Sequence, residues 1–114
     1  MKPDQLFILK ADFLDQGEPW FCPGCAEVLG VLEYYPRLKT GIQIHQVDYP
    51  RPRPSIVSVL GDEFQSCPVL VLGSEPAETV PGVHIQHSNG HAFVNDPREI
   101  CLYLSHVHGI GKPH

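Results

Sequence analysis

The chain carries Cys22-Pro23-Gly24-Cys25 between a strand-like run, Leu6-Phe7-Ile8-Leu9, and an apolar-periodic segment, Ala26 to Tyr35. That placement constrains the fold more than any other feature. It puts two sulfurs at the mouth of a helix, where unpaired backbone N–H groups and the positive end of the helix dipole favour an anion. A thiolate is such an anion, and it is the reactive form of cysteine. Counted from Cys25, Leu29 and Leu32 return to one face with Val28 beside them, so Cys25 is expected on the buried stripe. Cys22, nearly a turn earlier, is expected at the exposed tip.

The chain has 114 residues, which suits one domain able to bury roughly two thirds of its unfolded surface. A net charge of −5 argues against nucleic-acid binding, which needs a basic face. No apolar stretch approaches the roughly 20 residues needed to span a bilayer. Met1-Lys2-Pro3-Asp4-Gln5 lacks the apolar core and cleavage site of a secretory signal. A cytoplasmic location is therefore expected, where paired cysteines are usually catalytic or metal-binding.

Further along, Asp12–Pro19 reads as a polar loop, and the first helix runs from about Pro23 to the Tyr35-Pro36 boundary. Ile42–Tyr49 reads as a second strand. The run Pro50-Arg51-Pro52-Arg53-Pro54 cannot be helical, because proline lacks an N–H and restricts the residue before it. A short helix, Ser55–Leu60, follows, with Ile56, Val57 and Leu60 inward and Gly61 past its end. Val69–Leu72 is a third strand, and Gly73–Gly82 a loop. Asn89-Gly90 marks a two-residue hairpin turn, setting Ser88 opposite His91, Gln86 opposite Phe93 and Ile85 opposite Val94. One hairpin face then carries Val83, Ile85, Ala92 and Val94; the other carries His84, Gln86, Ser88 and His91. The last helix opens on Asp96 as N-cap, Pro97 at its first position and Glu99 closing a capping box. Ile100, Leu104 and Val107 form its inward stripe, and Gly109 stops it. The element order is written βαβα–ββα.

A single C-x-x-C is a redox pair, half of a metal site, or inert. As a redox pair, Cys22 attacks a sulfur centre and Cys25 releases the mixed disulfide. A metal half-site needs a second ligand pair at comparable spacing, and the sequence has no second C-x-x-C. Cys67-Pro68, heading the third strand, adds weight to the redox reading, since an X–Pro bond in a tight turn is where cis isomers occur.

Taken together, Phe21-Cys22-Pro23-Gly24-Cys25, Ser66-Cys67-Pro68-Val69-Leu70 and Asp96-Pro97-Arg98-Glu99-Ile100 resemble the thioredoxin superfamily, of the glutaredoxin or glutathione-transferase N-terminal kind. The correspondence covers most of Leu6–His108. More narrowly, the chain is similar to a short uncharacterised bacterial thioredoxin-like family with a CP-x-C motif and a Pro-Arg-Pro-Arg-Pro loop. The resemblance implies an α/β thioredoxin-like fold with a mixed central sheet. It makes Cys22 the nucleophile, Cys25 the resolving thiol and Pro68 a cis-proline packed against them. It also implies that the Cys67 backbone binds an extended peptide or glutathione, and that Asp96 lies where the γ-glutamyl end of glutathione binds. Two departures weaken the glutathione part: the central Pro-Gly, and Val94-Asn95 where glutaredoxins have Gly-Gly before the last helix.

Cys67 is unusual at its position. It forms an alternative disulfide with Cys22, joins Cys22 and Cys25 as ligands of a metal or iron–sulfur cluster, or is a small buried residue. Cys101 belongs to the core. The seven histidines read as structural or solvated. Arg51 and Arg53 receive a substrate carboxylate by bidentate hydrogen bonds or belong to a solvated polyproline-like loop. Trp20 and Phe21 form an apolar rim for substrate or close the core, and Glu18 and Glu27 are charges able to tune the thiolates. The leading expectation is a thiol–disulfide oxidoreductase acting on a protein disulfide or glutathione-linked substrate, with no cofactor beyond glutathione as co-substrate. A thiol-based metal or iron–sulfur binding module and a non-catalytic interaction domain stand as alternatives.

Overall fold

A computed structural model describes residues 2–114. Its main sheet is built on β1, Asp4–Leu9, β4, Ile42–Val47, β5, Val69–Val71, β6, Gln86–Ser88, and β7, His91–Val94, in the spatial order β4-β1-β5-β7-β6. The β1–β4 pair is parallel and the other three pairs are antiparallel. A parallel pair needs a crossover, and α1, Pro23–Tyr34, followed by a 3-10 turn, Pro36–Thr40, supplies it. The remaining helices are α2, Pro54–Leu60, and α3, Pro97–His108. The result is a compact α/β arrangement of three helices on a mixed sheet. That sheet has one strand more than the order βαβα–ββα counts, because both arms of the Asn89-Gly90 hairpin join it.

Why the sheet is covered on both faces is visible in β1. Leu6, Phe7 and Ile8 are all buried, the unbroken apolar run of a strand sandwiched between layers. Leu6 and Ile8 face one cluster with Cys25, Val28 and Leu32 of α1 and Ile100 and Leu104 of α3. Phe7 faces the other, with Ile56 and Leu60 of α2, Val69, Val71 and Phe93.

Several local expectations are corrected by this packing. Leu29 and Val107 are exposed; the inward stripe of α1 is Cys25, Val28 and Leu32, and that of α3 centres on Ile100, Cys101 and Leu104. Val57 is only half-buried. The second strand ends at Val47, before Tyr49. Asp12–Pro19 is not a plain loop: β2, Phe13–Asp15, and β3, Glu18–Trp20, pair as a small hairpin. Its turn residues Gln16 and Gly17 both have positive φ, 53° and 77°, as a two-residue hairpin turn requires. At the later hairpin, Gln86 pairs with Phe93 and Ser88 with His91, as the turn dictates, while β6 starts too late to include Ile85. The face carrying Gln86 also carries Phe93, which is fully buried and lies 4.9 Å from the Phe64 ring.

Asp96 caps α3 by accepting the Glu99 N–H at 3.0 Å, and Gly109 ends the helix in the left-handed region. The capping box closes on one side only. Glu99 gives its carboxylate to the His84 N–H, a tertiary partner no local motif anticipates.

Candidate functional site

Cys22 is the N-cap of α1, with extended backbone angles and Pro23 at the first helical position. Ending the strand-to-helix connection there leaves its sulfur over the first turn, where it accepts the Cys25 N–H at 3.1 Å. One of the unsatisfied amides of the helix start is thus aimed at sulfur, and the dipole adds partial positive charge. As a thiol, Cys22 faces the Cys67 carbonyl at 3.8 Å. Cys22 is half-buried rather than at a fully exposed tip.

Cys25 is buried, and its sulfur accepts the Leu9 N–H at 3.4 Å. Burial, reinforced by the neighbouring Cys22 sulfur, pushes its pKa up to about 12. The two thiols therefore have separate environments: one beside helix amides with access to solvent, the other held protonated in the core.

Pro68 follows a cis peptide bond from Cys67 and is buried against the first turn of α1. A Cβ on Gly24 would lie 3.2 Å from Cδ of Pro68 and 2.6 Å from Cγ of Pro97. Gly24 is therefore where the starts of α1 and α3 meet, and it brings exposed Asp96 to the same end of the molecule as Cys22. Sequence reasoning passed over Gly24; its signal was a glycine inside the first turn of an otherwise well-formed helix.

Trp20 and Phe21 are exposed together with Leu14. They do not close the core. They stand on and just after the β2–β3 hairpin, Phe21 directly before Cys22 in the chain, with the Trp20 indole N–H held by the Asp15 carbonyl at 2.9 Å. Phe13 stacks on Tyr49, ring centroids 4.4 Å apart, tying this hairpin to the proline-rich loop.

That loop is not solvated throughout. Arg51 is exposed, but Arg53 is buried. Arg53 donates through Nε and one terminal nitrogen to the Tyr49 carbonyl, at 3.1 and 2.7 Å, and through the other to the Gln65 carbonyl, at 2.7 Å. These bonds commit most of the guanidinium fork to the protein itself, leaving Arg51 as the exposed cation of the loop. Glu27 is engaged too: it accepts from Arg98 at 3.1 Å and faces the Cys101 sulfur at 3.9 Å. Cys101 is buried in the core as its pattern implies.

Among the described residues no group of three or more His, Cys, Asp and Glu side chains is placed to hold a metal ion. Among the described residues, too, no helix is long and apolar enough to cross a membrane.

Neither the curated proteins nor the solved structures contain a match to this chain. A family model, described as a protein of unknown function (DUF3088), matches residues 3–112. On that match, which takes in every element of the fold, the chain belongs to the DUF3088 family.

Proposed function

We propose that this chain is a thioredoxin-like thiol–disulfide oxidoreductase in which Cys22 attacks and Cys25 resolves. The observation that carries the reading is the Cys25 N–H aimed at the Cys22 sulfur from the start of α1. Pro68 and Gly24 beside it, and the four-strand core β4-β1-β5-β7 with α1 and α3 on one face, fit the same reading.

The Cys22 thiolate attacks one sulfur of a substrate disulfide. The substrate S–S bond breaks, a Cys22–substrate disulfide forms, and the other substrate sulfur leaves as a thiolate. Cys25 then gives up its proton to that departing thiolate and attacks the Cys22 sulfur. The second substrate sulfur leaves, and Cys22 and Cys25 end as a disulfide. Two electrons have passed from the pair to the substrate. Because Cys25 is held protonated by burial, Cys22 acts first and the order of the two steps is fixed.

The exposed Leu14, Trp20 and Phe21 favour a peptide or protein disulfide, whose apolar side chains they can cover. Glutathione fits less well, since Arg53 is withdrawn from its carboxylates and Asp96 already caps α3. The test is a redox titration in glutathione or dithiothreitol buffers, with free thiols trapped by alkylation and counted by intact mass. Cys22 and Cys25 should gain and lose their labels together, at a midpoint between about −120 and −270 mV. A pair that never oxidises reversibly, or labelling unchanged by Cys22→Ser, defeats the reading.

A further inference from the structure

Arg53 is only 5% exposed, yet it has no counter-charge. The four ion pairs among the described residues leave it out, and its hydrogen-bond acceptors are neutral carbonyls of Tyr49 and Gln65. The Tyr49 ring lies 5.8 Å from the guanidinium carbon and offers only a π face. A buried cation left unpaired is unfavourable unless an anion can form beside it. The group beside it is the Cys67 thiol. The guanidinium is held on the Gln65 carbonyl, two residues before Cys67; burial pushes the thiol up to about 11, and the charges of Arg53 and Arg51 work against that rise.

Cys67 also adjoins the reactive centre. Its carbonyl is 3.8 Å from the Cys22 sulfur, and charge on Cys22 disfavours ionisation of Cys67. Once Cys22 is in a mixed disulfide, that repulsion is gone while the attraction of Arg53 remains. Cys67 packs at the margin of both core clusters, half-buried, whereas Cys25 lies deep under α1.

We propose that Cys67 is a second resolving thiol for the mixed disulfide at Cys22, with Arg53 the buried cation beside its segment. This rests on the reading of Cys22 as the attacking thiol. The Cys67 thiolate attacks the Cys22 sulfur, the Cys22–substrate S–S bond breaks, and the substrate leaves as a thiolate that takes up the proton Cys67 released. The product is a Cys22–Cys67 disulfide. Cys25 can then attack Cys22, returning Cys67 to the thiol and leaving Cys22–Cys25 joined. The substrate disulfide is the only oxidant needed.

The experiment uses the full chain and oxidised glutathione as probe, read by intact mass and peptide mapping. Cys25→Ser should show a glutathione adduct at Cys22 that is lost as a Cys22–Cys67 cross-link appears. In Cys25→Ser, Cys67→Ser the adduct should persist at least about tenfold longer. An adduct equally long-lived in both variants overturns the inference while leaving Cys22 as the attacking thiol. A wild-type chain that neither takes up glutathione nor forms any disulfide removes the oxidoreductase reading and this inference with it. In the Cys25→Ser background, Arg53→Gln should slow the resolving step about tenfold and move its pH midpoint upward, whereas Arg53→Lys, which keeps the charge, should stay within about threefold. Equal slowing by both with an unshifted pH profile would reduce Arg53 to a structural role. The cysteine arms decide the role of Cys67 whether or not Arg53→Gln folds.

Discussion

At the scale of single residues, the two glycines of α1 make opposite demands. A Cβ on Gly24 would meet Cγ of Pro97 at 2.6 Å and Cδ of Pro68 at 3.2 Å, both in proline rings that cannot swing aside; a Cβ on Gly30 would meet nothing within 4 Å. Alanine is preferred over glycine in a helix by about 0.5–1 kcal/mol, and overpacking a tight site costs about 1–3 kcal/mol. The clash therefore wins at Gly24 and the propensity wins at Gly30. Gly24→Ala should destabilise the reduced protein by about 1–2 kcal/mol, while Gly30→Ala should stabilise it by up to about 1 kcal/mol. Urea denaturation of the two variants side by side checks this. A Gly24→Ala chain as stable as wild type would mean that the starts of α1 and α3 are free to separate, and the packing around Cys22 would be looser than described. The sequence showed the cysteines because their spacing is local. It could not show the crowding at Gly24, which comes from residues some 40 and 70 positions away along the chain.

Among elements, those whose signals lie within a few residues were legible. Asp96-Pro97 and Gly109 bound α3, and Asn89-Gly90 sets the pairing of β6 with β7. The β2–β3 hairpin was missed because Gln16-Gly17 is a weak turn signal and its arms are three residues each. The proline-rich loop was misjudged for a different reason. Its prolines keep it from being helical only as far as Arg53, since Pro54 is already the first residue of α2, and the burial of Arg53 depends on Gln65, twelve residues on. Gln65 accepts the Arg53 N–H at 2.8 Å and donates to the Asp62 carbonyl at 2.8 Å, and the Arg53 guanidinium returns to the Gln65 carbonyl. One side chain thus fastens the start of α2 to the segment leading into Cys67. Gln65→Leu keeps similar bulk but leaves the Arg53 N–H without its acceptor in a buried place. An orphaned buried group costs about 1–3 kcal/mol, so a loss of that size in urea denaturation is expected. A change below about 0.5 kcal/mol, typical of an unconstrained surface site, would show that this loop is held by something other than the clasp.

Across the whole molecule, alkaline pH acts on four buried or half-buried acids in the same direction. Burial raises Cys25 to about 12, Cys67 and Cys101 to about 11 and Tyr103 to about 12. For Cys67 the arginines work against that rise; for Cys101 the nearby Glu27 adds to it. In the unfolded chain the same thiols lose their protons near pH 9 and the phenol near pH 10. Above those values the unfolded state binds fewer protons than the folded one, so folding stability falls as pH rises, and it goes on falling until the folded-state values are passed. The contribution is whole below about pH 8 and shrinks between about pH 9 and pH 12. A tenfold difference in proton affinity is worth about 1.4 kcal/mol. A drop in Tm of roughly 5 °C or more is therefore expected between about pH 8 and pH 10.5 for the reduced protein, kept in reductant. The net charge of −5 grows more negative over the same range and adds self-repulsion, so the slope alone does not assign the effect to the thiols. Cys25→Ala, Cys101→Ala separates the two. It keeps nearly the same folded-state charge but removes two of the groups that must ionise on unfolding. Its Tm should start lower at pH 8, for the lost packing, and fall less steeply towards pH 10.5. An equal slope in both chains would assign the alkaline loss to surface repulsion and remove these sulfurs as its source.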